Sequence, residues 1–115
     1  MLPNTAPNTF ALAIEHSGDA ATVRCSGRLV SGYSDRLSTQ VKELIPVCKR
    51  IVLDLKDCTH MDSMGLGTVV RLYVSAKSSG CALELMNIGK PIRHLLGVTH
   101  LISVLAVVGE NNIRF

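Results

Sequence analysis

One stretch of the chain gathers the residue types that do chemistry, His60-Met61-Asp62-Ser63-Met64-Gly65-Leu66-Gly67. It places an imidazole, a carboxylate and a hydroxyl close together. Three roles are open to Ser63. Its oxygen can cap a helix by accepting from free backbone N–H groups, as an Asp or Ser at a helix start commonly does. It can accept a phosphoryl group. Or it can act as a nucleophile, which requires a positioned base and an oxyanion site. His60 precedes Ser63 by three residues, in what reads as an irregular loop, and nothing in the sequence completes a triad. Gly-x-Ser-x-Gly is absent. Gly65-Leu66-Gly67 lacks the Lys and the spacing of a phosphate-gripping loop. These absences disfavour an enzyme.

The neighbours of Ser63 say more than the serine does. Glycine inside the first turns of a helix costs about 1 kcal/mol relative to alanine. Gly65 and Gly67 carry that cost twice, which fits a surface that another chain must approach closely. Met61 and Met64 flank the Asp62-Ser63 pair, and exposed methionine is adaptable contact surface. A phosphate on Ser63 would stand at the positive end of a helix, where an anion is favoured. It would change the surface by roughly −1.5 to −2 charges without melting the fold.

Stepping outward along the chain, the elements that position this stretch are legible. Ile51-Val52-Leu53-Asp54-Leu55 reads as a strand covered on both faces. A polar loop, Lys56 to His60, follows. Asp54 is expected to accept backbone N–H bonds from that loop, because a buried carboxylate needs partners. A helix then runs from near Ser63 to about Ser79. Its inner stripe is Leu66, Val69, Val70, Tyr73 and Ala76, and its outer one Thr68, Arg71, Ser75 and Ser78. Gly80 stops it.

Upstream, Phe10–Ile14 and Ala21–Ser26 form a hairpin around Ser17-Gly18-Asp19, with Gly27 ending the second strand. Ser34 or Asp35 caps a helix whose Leu37, Val41, Leu44 and Ile45 share one face, and Pro46 limits it. Downstream come a strand from Cys81 to Met86, a short helix from Pro91 to Leu96, and a strand from Ser103 to Val107. Residues 1–8 read as a loose tail and residues 9–115 as one domain. The order β-β-α-β-α-β-α-β predicts an α/β fold. Its central sheet is mostly parallel, with an antiparallel N-terminal strand and helices packed on it.

Composition narrows the classes further. The 115 residues make one ordinary domain, and 47% are apolar. Trp is absent, with two Tyr and two Phe, so aromatic anchors for stacking bases are scarce. The net charge of +3 comes from scattered basic residues, which argues against nucleic-acid binding. Cys25, Cys48, Cys58 and Cys81 form no C-x-x-C pair and read as free thiols in a reducing compartment. No metal site is expected, since His16, His60, His94 and His100 offer no paired spacing, and no cofactor either. Residues 1–9 lack a basic, apolar leader, and Leu101–Val108 is too short to cross a bilayer, so a cytoplasmic place and no membrane insertion are expected. No polar cluster marks a small-molecule pocket.

Asp62-Ser63-x-Gly65-Leu66-Gly67, preceded by Val52-Leu53-Asp54-Leu55, resembles the hallmark of STAS domains of the anti-sigma factor antagonist family. The likeness runs from about Phe10 to Val107. It includes Gly80-Cys81-Ala82-Leu83-Glu84-Leu85 and Pro91-Ile92-Arg93-His94-Leu95-Leu96. The resemblance implies that Ser63 is the phosphoacceptor. An anti-sigma factor with serine-protein kinase activity would be the partner, and a serine phosphatase would reset the switch. Unphosphorylated protein would hold the anti-sigma factor and free the sigma factor. His60, Met61, Asp62, Met64, Gly65, Leu66 and Gly67 would surround the acceptor as partner-binding residues. Gly27-Arg28-Leu29 matches the family's Gly-x-Leu segment and would lie beside the serine, which adds Gly27 and Arg28 to the interface. Val30 stands where many members carry Asp, and Arg28 where acidic residues are common. The alternative is a STAS docking subunit of a stress-sensing or lipid-transport complex that never cycles phosphate. Oligomeric state is left open by the sequence.

Overall fold

The computed structural model describes residues 10–100 and 106–108. Phe10–Ser17 (β1) and Ala20–Leu29 (β2) pair as an antiparallel hairpin, turning through Gly18 at a positive φ of 62°. Ser34–Leu44 (α1), Arg50–Met61 (β3), Ser63–Ser78 (α2), Ala82–Met86 (β4), Lys90–Val98 (α3) and Ala106–Val108 (β5) follow. The five strands lie side by side in sequence order, and every pairing after the first is parallel. The α/β class, the element order and the single antiparallel strand match expectation. The tail at 1–8 and residues 103–105 of the expected last strand lie outside the described residues.

The core follows from alternation along the strands. Ala21, Val23 and Cys25 of β2, Ile51, Leu53 and Leu55 of β3, and Leu83 and Leu85 of β4 all point to one buried layer. Leu37, Val41 and Leu44 of α1 and Leu66, Val69, Leu72 and Ala76 of α2 close it, with Ile92 and Leu96 of α3. The two longer helices pack on each other, α1 above β2 and α2 above β3 and β4. Residues of opposite parity form the other face of the sheet. There Arg24 pairs with Glu15 at 3.0 Å and lies 3.8 Å from Asp54.

Four local expectations change. Gly27 does not end β2. It sits at a positive φ of 97° beside two register shifts, at each of which β3 carries one extra residue, so β3 bulges opposite it and β2 runs on to Leu29. The presumed loop Lys56–His60 is strand, because Asp57 to Met61 pair with Ser26 to Leu29 across that bulge. Neither Ser34 nor Asp35 caps α1: Tyr33 holds the cap position, and Ser34 is buried inside the first turn. In α2 the inner stripe is rotated: Thr68 and Leu72 are buried, whereas Val70 and Tyr73 are only partly so. Two stop signals hold. Pro46 follows the end of α1. Gly80 closes α2 at a φ of 76°, with Gly80 N–H donating to Lys77 O and Cys81 N–H to Ala76 O.

Asp54 finds the partners a buried carboxylate requires. Its Oδ1 accepts from Lys56 N–H at 3.0 Å and from Asn87 Nδ2 at 3.1 Å. Lys56 belongs to the same strand, and Asn87 reaches across from the turn after β4. Asn87 holds a positive φ of 59°, a conformation that asparagine tolerates better than most residues. The carboxylate therefore serves the fold.

Candidate functional site

Three segments meet at the carboxyl end of the parallel strands, the usual docking edge of such sheets. They are the end of β2, the end of β3 and the start of α2. Across the sheet Gly27 pairs with Cys58, Arg28 with His60, and Leu29 with Met61. Thr59 Oγ1 donates to Gly27 O at 3.1 Å and ties down the bulge. The Gly27-Arg28-Leu29 segment thus lies beside the residues leading into Ser63.

Asp62 holds the corner. Its backbone is extended (φ −102°, ψ −175°), and its Oδ1 accepts from Gly65 N–H at 2.9 Å, capping α2. Its Oδ2 accepts from Ser31 N–H at 3.0 Å, across 31 positions of sequence. One carboxylate therefore fastens the loop after β2 to the start of α2. These backbone donors, Ser31 first and then Gly65, hold its carboxyl below the ordinary range.

With Asp62 in the cap position, Ser63 is the first residue of α2 and is exposed. Its side chain stands at the positive end of a sixteen-residue helix. Met64 follows, 52% exposed, one of four large apolar residues so open among the described residues. Gly67 is half-buried one turn on, with Arg71 beside it. Ser63, Met64 and Gly67 thus form an open patch that a second protein could cover.

His60 is exposed at the end of β3, and its Nδ1 lies 3.0 Å from Thr59 Oγ1. Met61 is half-buried against the core. Arg28 is half-buried on β2, and the Cys58 thiol bonds back to the His60 carbonyl at 3.4 Å.

Two of the residues expected to contact a partner turn inward. Leu66 is 5% exposed and packs in the core. Gly65 is buried, and a Cβ there would collide with the carbonyl oxygen of Leu29 and lie 3.0 Å from its carbonyl carbon. The close approach that this glycine permits is by the chain's own backbone. Both residues shape the site from within. Gly67 keeps the outward reading, since a Cβ there would meet only the end of the Arg71 side chain, at 3.4 Å. Sequence reasoning missed Ser31, whose role rests on its backbone N–H and so carries no side-chain signal.

The comparisons agree with this arrangement. The STAS domain family model matches residues 11–112. The anti-sigma F factor antagonist of Paenibacillus polymyxa is 31% identical over 98 residues, covering 84% of this chain and 84% of its own. A crystal structure of an anti-sigma factor antagonist from Mycobacterium paratuberculosis superposes with a TM-score of 0.82 at 16% identity, over 94% of this chain and 92% of that one. SpoIIAA in its unphosphorylated form gives 0.74 at 17% identity, over 87% of this chain and 90% of that one. The phosphorylated form of the Bacillus cell fate determinant SpoIIAA gives 0.70 at 17% identity, over 87% and 93%. Fold, site and sequence relatives converge, and the chain belongs to the STAS domain family.

Proposed function

We propose that this chain is an anti-sigma factor antagonist whose docking surface surrounds Ser63 and is switched by phosphorylation there. The observation that carries the reading is the division of labour at the start of α2. Asp62 does the capping and Ser63 stands exposed beside the half-exposed Met64. The hydroxyl is spare for chemistry, since the fold does not need it as a cap. Relatives named as antagonists, and a structural neighbour recorded in both phosphorylation states, support the same reading.

The switch works by charge. The partner's kinase activity transfers the γ-phosphoryl group of ATP to Ser63 Oγ, which gives up its proton, and ADP leaves. The surface gains roughly −1.5 to −2 charges, next to the ionised Asp62. A contact built on Met64 and Gly67 then has to bury a dianion, which is prohibitively costly unless paired. The helix terminus tolerates the phosphate, so the fold survives and the partner leaves. A serine phosphatase restores the binding form.

The test is incubation with candidate serine-kinase anti-sigma proteins and ATP, followed by mass spectrometric mapping. Phosphate should appear on Ser63 and be lost in Ser63→Ala. Ser63→Ala should keep partner binding, and Ser63→Asp should weaken it at least about tenfold, or 1.4 kcal/mol. Equal affinity of both variants for a bound partner would support the non-cycling docking subunit instead.

A further inference from the structure

The helix-side layer of the sheet is incompletely covered at its outer edge. In that layer Ala21, Val23 and Cys25 of β2, Ile51, Leu53 and Leu55 of β3, and Leu83 and Leu85 of β4 are each 3% exposed or less. On β1 only Phe10 is buried; Leu12 and Ile14 are half-covered. They form the floor of a groove whose wall is the flank of α1, made by Asp35, Arg36, Thr39 and Gln40. No described strand pairs with the outer edge of β1.

The direction of the free main-chain groups follows from one bond. Arg36 Nη1 donates to the Phe10 carbonyl at 2.7 Å, so that carbonyl faces outward, away from β2. In an antiparallel strand both main-chain groups of a residue face the same neighbour, and the facing alternates along the chain. The register of β1 on β2 is unbroken from Phe10 to Ser17, so Leu12 and Ile14 also turn their N–H and C=O groups outward. The residues with half-covered side chains are therefore those with outward-facing main-chain groups.

Natural edge strands are usually guarded by Lys, Pro, a bulge or an inward charge. Ala11-Leu12-Ala13-Ile14 has none of these, and the first charge is Glu15. The pattern is also self-complementary. A two-fold axis through Ala13 sets Leu12 opposite Ile14 of a second copy, twice over, and Ala13 opposite its own image. Leu12 and Ile14 would then exchange both main-chain hydrogen bonds, as outward-facing residues can. The groove wall carries one carboxylate and one guanidinium, so a copy of the same chain meets no net charge there. We propose that β1 is a homodimerisation edge, pairing antiparallel with β1 of a second copy about Ala13, so that two five-stranded sheets join into one. The interface is isologous and closes on itself. It lies on the opposite side of β2 from the strand leading to Ser63, so its failure would leave the reading of Ser63 untouched.

The test uses the full-length chain in sedimentation equilibrium over a range of concentrations. The apparent mass should double with concentration. Ile14→Lys should weaken association about a hundredfold, since each dimer loses two buried isoleucines, and circular dichroism should show an unchanged fold. Ala13→Cys should form a covalent dimer with oxidised glutathione, because paired residues on adjacent strands bring their Cβ atoms to about 5 Å. Ala11→Cys, two residues off the axis, should not. A monomer at every concentration overturns the proposal. So does a dimer indifferent to Ile14→Lys, or equal cross-linking at both positions.

Discussion

Gly65 rests against the main chain of Leu29 so closely that a single added methyl group would overlap the Leu29 carbonyl oxygen. This contact sets where α2 begins relative to the end of β2, and so where Ser63 emerges. Backbone cannot yield as a flexible side chain can.

Gly65→Ala should therefore destabilise the fold by about 3 kcal/mol, the upper range for overpacking. Gly67→Ala should do the opposite. Its Cβ meets only the Arg71 guanidinium end, and alanine gains up to about 1 kcal/mol of helix propensity. Thermal unfolding of the two variants checks both signs. At about 4–8 °C per kcal/mol in a domain near this size, the melting points should separate clearly.

Asp62 should make stability depend on pH at the acid end. Its carboxyl is held below the ordinary range in the folded state by the Ser31 and Gly65 N–H groups. Its contribution is complete above the unfolded carboxyl value and is lost as pH falls through the lower folded one. Urea unfolding from neutral to acid pH should show the loss in the native protein and a flatter profile in Asp62→Asn. Asp62→Ala should cost about 1 to 2 kcal/mol at neutral pH, as expected for a lost cap.

Ser63 should be nearly silent in stability. It is exposed and does no capping, so Ser63→Ala should stay within about 0.5 kcal/mol of the native protein. Chemical denaturation measures this directly. A larger loss would mean that the hydroxyl holds the helix together, and the switch would then disturb the fold.

The thiols should react in an order set by burial. Burial pushes Cys25 up to about 12, with Cys58 and Asp54 nearby adding to the effect. Cys48 and Cys81 are also buried, and Cys58 is only half so. A maleimide at mildly alkaline pH should label Cys58 first and the other three on unfolding, as peptide mapping would show.

The sequence by itself determined the local elements and the chemistry at the centre of the site. The apolar run Ile51–Leu55, the helical spacing of Leu37, Val41 and Leu44, the stops at Pro46 and Gly80, and the Asp62-Ser63 helix start are all short-range signals. Each of these signals rests on residue types within a few positions of one another, whatever those residues later pack against. Only the tertiary structure decided what depends on distant backbone. Lys56–His60 is polar enough to read as loop, yet it is strand because β3 bulges to stay paired with β2 around Gly27. Gly65 reads from the sequence as room for a partner, but the Leu29 main chain fills that room, and Ser31 gives no sign because its part is played by an amide hydrogen common to nearly every residue. Side-chain identity is written in the sequence, whereas which main-chain groups meet across the fold is set by packing.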